Sequence, residues 1–441
     1  MSGKVQVSLV LFALVTLPSC QDQVPRSTLT YHPSSVVEWI WSGGLRTDGA
    51  VIKARLAQGV DASTVGLLVS RQPDFREPIR FPASTQVNDD RVVRFAVKGL
   101  VAATRFYYVA VEGSRQDEYR RGTFQTLPES GSFTLALGAC ARTASTAAVF
   151  DSLRRVAPLF FIHLGDFHYE NLPIADVDAY RRVYHHVLAS PAQSAFYRQT
   201  PTVYVWDDHD YGPDNSDAAH VGRSAARQTY REIVPHYRLA AGEGDHAIYH
   251  SFQVGRVRFV VTDGRSERSP RAAPDNASKT LLGEQQKAWL KRELTRDRDE
   301  APLIVWVNTV PWIAARQAGA DHWGGYSAER QELAQFLIDE GVTGLAMLSG
   351  DAHMLAIDDG SHNSFSEPRG TGFPVFHTAA LDRPGSVKGG PYSEGRYPGR
   401  GQYGVMQVQD NGSEIVVSWS GRNWRDEELI SYQFTVPEGT R

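Results

Sequence analysis

Cysteine is scarce in this sequence, with two residues among 441, too few for the disulfide framework that stabilises many small secreted domains. A strong net charge is also lacking, because the formal value is −4 at pH 7. Nonspecific nucleic-acid binding is therefore not expected. With 41% hydrophobic and 22% charged residues, the composition excludes a disordered chain and a body that spans a membrane. The length favours a globular protein of two or three domains.

A short apolar run lies near the N-terminus, at residues 7–15, after Lys4. It is too short to cross a bilayer and predicts a signal peptide over residues 1–20, followed by a polar tether over 21–30. The run ends at LPSC, which resembles the lipobox of bacterial lipoproteins, and that resemblance implies lipidation of Cys20. The alternative is an ordinary cleaved secretory signal in which Cys20 has no role.

Both alternatives predict an exported protein, and lipidation would make it a periplasmic or cell-envelope lipoprotein. Gln21 stands where the Gram-negative pattern has the aspartate that retains a protein at the inner membrane, so an outer-membrane anchor is the narrower expectation. The lipid anchor would be the only membrane contact, and a monomer is expected. Lipidation would also leave Cys140 as the sole thiol, and an oxidising compartment favours its burial or its binding to a metal.

Two regions of different pattern follow the tether. Residues 31–128 consist of short strand-like segments separated by turn residues, and the alternation at 91–98 fits strands with one buried face. This region is predicted to be an all-β sandwich, and residues 100–109 resemble a late strand of fibronectin- or Ig-like domains. From 131 to 441, strands alternate with helix-like stretches and end in an almost purely β cluster. That pattern predicts an α/β sandwich of mixed sheets flanked by helices.

Four apolar runs each end in a segment that carries metal-binding side chains. In an open α/β sheet, groups at the carboxyl ends of the strands meet in one crevice. Thiolate, phenolate, carboxylate and imidazole groups repeated at this place predict a centre with more than one metal ion. The segments are LGAC at 137–140, HLGDFHY at 163–169, WDDHD at 206–210 and SGDAH at 349–353.

The types of side chain indicate which metals would suit the centre. Cys140 as a thiolate and Tyr169 as a phenolate favour a strong Lewis acid, whereas aspartates suit hard divalent cations. Asp166 and Tyr169 are three residues apart, so one turn after the strand would bring both to the same ion. Asp351 and His353 would point to the same side of an extended strand end and address neighbouring ions.

The order of these segments resembles the alkaline phosphatase D-like (PhoD-like) branch of the calcineurin-like metallophosphoesterases. The resemblance also rests on LGEQQKAWL at 282–290 and on the pair Asp263 and Arg265, and it covers nearly all of the chain after the signal. Asp210 stands where glutamate is frequent and Ala139 where serine is frequent. The resemblance implies a ferric ion held by Cys140, Asp166, Tyr169 and His353, with Asp166 bridging to a second ion, bound by Asp208, Asp351 and Asn308.

The same resemblance implies calcium for the second ion, with Zn²⁺ or Mn²⁺ as alternatives to Fe³⁺ and Ca²⁺. His209 would protonate the leaving oxygen or hold the phosphoryl group. Arg142, two residues after Cys140, and Arg265 are candidates for binding phosphate oxygens, because a guanidinium can donate two hydrogen bonds to phosphate. For each arginine, an ordinary structural or surface role is the alternative.

Residues 382–404 are dense in glycine, proline and arginine and are predicted to form neither helix nor strand. A long loop in a compact domain is often functional. We interpret it as a loop near the site, where Tyr392, Arg396 and Arg400 would meet a phosphate or its leaving group. A disordered surface excursion is the alternative.

The resemblance therefore implies an exported metallophosphoesterase that hydrolyses phosphomonoesters, phosphodiesters or both, by means of metal-activated water. Its partners would be small phosphate esters, including nucleotides and phospholipid headgroups, without specific nucleic-acid binding. Phospholipase D-like hydrolysis of lipid headgroup diesters is an alternative activity. A noncatalytic surface-binding protein is the alternative outside the enzymes.

Overall fold

The computed structural model describes residues 35–84, 88–378 and 380–437. The predicted signal peptide, the tether and Cys20 lie outside these residues. Within them, no helix has the length and the apolar character that a membrane span requires.

The first part of the described chain is built of strands. In β5 the side chains alternate between buried and half-buried from Val93 to Val97, which is typical of a strand with one face on a core. Two sheets form, with strand orders β1-β2-β5 and β4-β3-β6-β7, and β8 pairs with β6. The strands are β1 (Val37–Arg46), β2 (Gly49–Leu56), β3 (Val65–Ser70), β4 (Ile79–Pro82), β5 (Val92–Val97), β6 (Arg105–Glu112), β7 (Arg115–Gln116) and β8 (Gly122–Gln125), and a 3-10 turn spans Ala62–Thr64.

Two larger mixed sheets follow. One has six strands in the order β11-β10-β9-β19-β20-β21, and the other has seven in the order β12-β13-β14-β15-β17-β16-β18. The strands β9, β10 and β11 run parallel, as do β13, β14, β15 and β17. The strands are β9 (Phe133–Gly138), β10 (Phe160–Leu164), β11 (Thr202–Val205), β12 (His250–Val254), β13 (Val257–Val261), β14 (Leu303–Val307), β15 (Leu345–Ser349), β16 (Met354–Asp358), β17 (Val375–His377), β18 (Gly395–Pro398), β19 (Gln402–Asp410), β20 (Glu414–Asn423) and β21 (Glu428–Pro437).

Helices connect these strands, so the predicted combination of mixed sheets and helices is confirmed. Asp176 precedes α2 and accepts a hydrogen bond from the Asp178 amide at 2.9 Å, which satisfies a donor at the helix start. Pro191 begins α3, where its missing amide hydrogen is tolerated. The helices are α1 (Val149–Val156), α2 (Val177–Ala189), α3 (Pro191–Tyr197), α4 (Asp208–Tyr211), α5 (Arg223–Ile233), α6 (Glu284–Thr295) and α7 (Ser327–Asp339), with a 3-10 turn at Trp323–Gly325.

Strand β14 shows how the layers pack. All five of its side chains are buried. Successive residues point to opposite faces of the sheet, and both faces are covered. Leu303, Val305 and Val307 belong to the core shared with the six-stranded sheet. Ile304 and Trp306 belong to a second core, shared with α6 and α7. This double burial explains an apolar run without alternation.

The expectation that residues 382–404 contain no helix or strand is wrong. Gly395–Pro398 forms β18, and β19 begins at Gln402. Among the described residues, strand β18 is the edge strand of its sheet and pairs only with β16, with Ala356 opposite Arg396. Glycine and proline are tolerated at such an edge, and its exposed side chains give no apolar alternation from which a strand would be predicted.

The N-terminal strands pack closely against the part that follows. The Trp41 indole donates to the Ile233 carbonyl at 3.1 Å, and the Tyr108 hydroxyl donates to the Arg198 carbonyl at 2.7 Å. The buried Lys53 ammonium donates to the Glu232 carbonyl at 2.9 Å, at the end of α5. Buried residues of β1 and β2 share one continuous apolar core with β9, β10 and β11. The strands that lead into the site are therefore supported from this side.

Candidate metal centre

The candidate centre lies where strands from both large sheets end. Cys140 follows β9, Asp166 follows β10, and Asp208 follows β11 in the six-stranded sheet. Asp351 and His353 follow β15 in the seven-stranded sheet. Parallel pairing places the ends of β9, β10 and β11 side by side, so side chains that are far apart in sequence meet at one edge.

The backbone is strained at these strand ends. Cys140, Asp166, Asp351 and His353 have φ values of 58°, 56°, 70° and 49°, in the left-handed region that residues with a Cβ atom seldom adopt. Hydrogen bonds between the turn after β9 and the turn after β10 stabilise this backbone conformation. The amide of Cys140, for example, donates to the Gly165 carbonyl at 3.1 Å. Strain of this kind is concentrated at functional sites.

Four side chains form the first cluster, and they are the four that the family resemblance implies as ligands of a ferric ion. The Tyr169 hydroxyl donates to Asp166 Oδ2 at 2.7 Å and lies 3.0 Å from His353 Nε2. Cys140 Sγ lies 3.4 Å from the same Asp166 oxygen. The other His353 nitrogen, Nδ1, donates to the Pro384 carbonyl at 2.9 Å, which leaves Nε2 available as a ligand atom.

The electrostatics of the first cluster shows whether its residues suit a cation. Burial, reinforced by the Asp166 charge, raises the pKa of the Cys140 thiol and of the Tyr169 hydroxyl. Burial and the charges of Asp208 and Asp207 raise the pKa of Asp166, and its buried Oδ1 has no hydrogen-bond partner within the described chain. A cation among these donors would stabilise their ionised forms and satisfy the unpartnered oxygen. The residues present therefore fit a metal ion.

Asp166 also belongs to a second cluster with Asp208 and His209, in which ligand atoms of the three residues lie within 4.8 Å of one another. The Asn215 amide donates to Asp208 Oδ2 at 2.6 Å. Burial alone would raise the pKa of Asp208, but the charges of Arg265 and His209 outweigh it and lower that pKa. Asp166 thus stands between two potential cation positions.

His209 is oriented by two neighbours that the sequence did not single out for this purpose. Its Nδ1 donates to the side-chain oxygen of Asn171 at 2.6 Å. Its Nε2 lies 3.7 Å from Asp214 Oδ1. The ring packs on Tyr169 with centroids 4.1 Å apart. The half-buried imidazole therefore presents Nε2 as its exchangeable nitrogen.

Asp351 and Asn308 were predicted to bind the second ion, and both have other partners. The Lys388 ammonium donates to Asp351 Oδ1 at 2.6 Å, while the buried Oδ2 has no hydrogen-bond partner in the described residues. Burial raises the pKa of Asp351 to about 7, although Lys388 opposes that rise. The Asn308 amide donates to the Val310 carbonyl at 2.5 Å, and its oxygen accepts from the Trp323 indole at 3.1 Å.

Arg265, which was predicted to bind substrate, is placed differently. Its guanidinium is fully buried and donates to Asp207 Oδ1 at 2.6 Å and to Asp321 Oδ2 at 2.7 Å. Asp208 Oδ1 lies 3.9 Å away. Because these carboxylates occupy its donors and no solvent reaches it, Arg265 is a structural cation that positions Asp207 and Asp208. Its role as a substrate residue is corrected accordingly.

The other predicted arginines differ in their surroundings. Arg142 is half-buried, and its guanidinium has no hydrogen-bond or ion-pair partner among residues 35–84, 88–378 and 380–437. Arg396 is exposed on the edge strand β18. Arg400 Nε lies 3.8 Å from Asp382 Oδ1, and Asp382 is tied to the centre because its amide donates to the Cys140 carbonyl at 3.2 Å. Of the three, Arg142 alone combines proximity in sequence to a cluster residue with unoccupied donors.

The start of the glycine-rich segment runs along the centre, but different residues from those predicted approach it. The Arg383 guanidinium lies over the Tyr169 ring, 3.9 Å from its centroid, and Lys388 binds Asp351. The Tyr392 hydroxyl instead donates to the Lys388 carbonyl at 3.2 Å. Neither Arg383 nor Lys388 stands in a metal-binding motif, and the unusual composition of the segment was the only signal that pointed to them.

Comparisons with known proteins agree with this geometry. The family model described as PhoD-like phosphatase matches residues 135–400. Alkaline phosphatase D of Bacillus subtilis (strain 168) is 25% identical over an alignment of 235 residues, and the match covers 43% of this chain and 40% of that protein. The match thus spans less than half of the relative's length.

Two solved structures show the same fold. A structure of PhoD superposes with a TM-score of 0.75 at 19% identity, covering 93% of this chain and 92% of the other. A purple acid phosphatase from yellow lupin (Lupinus luteus) seeds superposes with a TM-score of 0.60 at 12% identity, covering 91% and 74%.

Proposed function

The chain belongs to the PhoD-like phosphatase family, and we propose that it is a metal-dependent phosphoesterase that hydrolyses phosphomonoesters and phosphodiesters. The observation that carries the proposal is the position of Asp166 between two clusters. Cys140, Tyr169 and His353 lie on one side of it, and Asp208 and His209 on the other. A pair of cations about one carboxylate is the arrangement that hydrolysis of phosphate esters uses.

We propose Fe³⁺ for the first cluster, because a thiolate, a phenolate and a carboxylate together suit a strong Lewis acid. Asp208, with Asp351 and the Asn308 oxygen, would hold Ca²⁺, which prefers oxygen ligands. Metal ions bound there would supply a water molecule of lowered pKa and positive charge for the phosphate oxygens. Binding of Asp351 to Ca²⁺ would require it to share or release Lys388.

The protein's own residues have separate roles in this proposal. His209, with Nδ1 fixed by Asn171, holds a proton at Nε2 and delivers it to the leaving oxygen. Arg142 donates its unoccupied N–H groups to non-bridging phosphate oxygens. Arg265 acts on neither the substrate nor the proton, since its donors are occupied by Asp207 and Asp321.

Hydrolysis of nitrophenyl phosphate and of bis-nitrophenyl phosphate by purified protein tests the proposal. His209→Ala should reduce kcat by roughly 10²–10⁴-fold, the usual contribution of a positioned general acid, with the folding transition unchanged. His246→Ala is the matched control, because His246 is exposed. Wild-type turnover by His209→Ala would remove His209 from the mechanism. Inactivity of the metal-loaded wild type on a broad panel of phosphate esters would reject the function.

We also propose that the enzyme is exported and anchored through a lipid on Cys20, as the LPSC segment suggests. The protein should then partition into detergent from cell envelopes. Cys20→Ser should release it into the aqueous phase or block its processing. If Cys20→Ser partitions between detergent and water as the wild type does, the lipid anchor is rejected and only secretion remains proposed.

Strands β1–β8 are proposed to form an accessory β-sandwich that supports the phosphoesterase part. The hydrogen bonds of Trp41 and Tyr108 to the following part favour a fixed platform over a free stalk. No side chain of the two clusters comes from these strands, which is in keeping with a supporting role.

A further inference from the structure

We propose that Arg383 and Lys388 bind the non-bridging oxygens of the substrate and make this enzyme prefer phosphomonoesters to phosphodiesters. The two cations belong to residues 382–388, which we call the cationic segment. The proposal rests on the phosphoesterase function proposed above and names the class of substrate that the site favours.

Every second residue at the start of the cationic segment forms a hydrogen bond to a residue of the centre. The Asp382 amide donates to the Cys140 carbonyl at 3.2 Å, and the Pro384 carbonyl accepts from His353 Nδ1 at 2.9 Å. The Ser386 amide donates to the His353 carbonyl at 3.2 Å. Because alternate residues are anchored, the segment holds its two cations in place without a closing movement.

Arg383 combines a fixed position with unoccupied donors. One face of its guanidinium lies on the Tyr169 ring at 3.9 Å, and Tyr169 in turn donates to Asp166. The Arg383 Nε atom is buried without a hydrogen-bond partner, and none of its other N–H groups has one within the described residues. A buried unpaired donor is unfavourable, and an anion bound at the centre would supply the missing acceptor.

Lys388 is the second cation of the segment, and it contacts the turn after β15. Its ammonium uses one donor for Asp351 Oδ1, at 2.6 Å. An ammonium has three donors, and the side chain is 41% exposed, so an anion arriving from solvent can reach Lys388. The segment thus brings one positive charge to each of two strand-end turns.

This charge arrangement favours monoesters. A phosphomonoester has a second pKa of about 6, so above neutral pH it carries two charges on three non-bridging oxygens. A diester carries one charge on two such oxygens. Asp166, Asp208 and Asp351 would repel the dianion more strongly than the monoanion, and two additional cations offset the larger repulsion.

The test compares kcat/KM for nitrophenyl phosphate and its bis-ester, which share a leaving group, in Lys388→Met and Arg383→Met. Each variant should lose about tenfold or more on the monoester, as expected for loss of a charge-assisted hydrogen bond, and less than about threefold on the diester. Lys388→Arg should retain the preference. Lys98→Met, which removes an exposed lysine directly after β5, should leave kcat/KM unchanged for both substrates.

Two further measurements distinguish a loss of phosphate binding from a loss of the metal ions. Elemental analysis of each variant shows whether the metal content is retained, and calorimetry with inorganic phosphate measures binding without turnover. Equal losses on both esters, or unchanged phosphate affinity in both variants, would overturn the proposal. If the wild type hydrolyses neither ester while the two variants still weaken phosphate binding, the phosphoesterase function fails and the anion site stands.

Discussion

His209 Nδ1 lies 2.6 Å from the side-chain oxygen of Asn171. An amide oxygen can only accept a hydrogen bond, so the proton of this contact resides on Nδ1 and proton exchange is left to Nε2. Asn171 itself has a φ of 52°, a left-handed conformation that asparagine tolerates better than most residues. The turn after the DFHY segment therefore positions the acid that the WDDHD segment supplies.

Asn171→Ala should lower kcat by about tenfold and change KM less, because the ring loses its orientation while the binding groups remain. Asn171→Asp, which can accept from the same nitrogen, should restore much of the rate. In a His209→Ala background, Asn171→Ala should cause little additional loss. If the two losses in kcat multiply in the double variant, Asn171 does not act through His209. Steady-state kinetics on nitrophenyl phosphate compares the wild type with these four variants.

Tyr169→Phe tests the identity of the metal in the first cluster. A phenolate or thiolate bound to Fe³⁺ gives a charge-transfer absorption band, whereas Ca²⁺ and Zn²⁺ give none. Removing the hydroxyl leaves the ring beneath Arg383 but deletes its contacts with Asp166 and His353. The band should shift or disappear with little loss of stability, and Cys140→Ser should weaken iron retention. A colourless, fully active wild type that contains only zinc would reject the ferric assignment.

Gly165 illustrates how closely the strand-end turns approach. Its φ is 92°, and a Cβ atom there would lie 2.5 Å from the Asp207 Cβ. Gly165→Ala should therefore suffer both backbone strain and a steric clash, and lower the free energy of unfolding by roughly 3 kcal/mol or more. Gly59, with a φ of 81° and nothing within 4 Å of its Cβ position, is the matched control. Gly59→Ala should cost only about 1–2 kcal/mol of strain, measured by chemical denaturation.

The strand ends could be predicted because apolar runs locate parallel strands and their carboxyl ends coincide. That argument predicted that Cys140, Asp166 and His353 meet, although Cys140 and His353 are 213 positions apart. It could not reveal Lys388 or Asn171, because no local pattern states which loop residue will face a distant strand end.

The misplacement of Arg265 has a comparable cause. The sequence correctly located it beside a strand end but gave no sign of Asp321, which lies 56 positions later and pairs with the guanidinium at 2.7 Å. An arginine at the end of a strand looks the same in sequence whether its donors are free or occupied. The burial of a cationic side chain and its hydrogen-bond partners depend on tertiary packing. They determine whether the side chain can bind a substrate.

The contact between Asp90 and His185 should make the stability of the protein depend on pH. Asp90 Oδ2 lies 2.6 Å from His185 Nε2, and His185 Nδ1 accepts from the Trp39 indole at 3.1 Å. Burial alone would raise the pKa of Asp90, but His185 and Arg55 outweigh it, so that pKa lies below its ordinary value of 3.8.

A carboxyl whose pKa is lowered by folding stabilises the protein above its unfolded pKa, and this contribution is lost as pH falls through the folded pKa. Asp90→Asn should therefore lower the free energy of unfolding by about 1–3 kcal/mol at pH 7, and the difference from wild type should shrink below about pH 4. The neighbouring Asp89 is exposed, so Asp89→Asn should have little effect at either pH. Urea unfolding across pH 3–7, a range set by these carboxyl pKa values, measures the difference. A constant deficit for Asp90→Asn at all pH values would show that its contact with His185 does not depend on the ionised carboxylate.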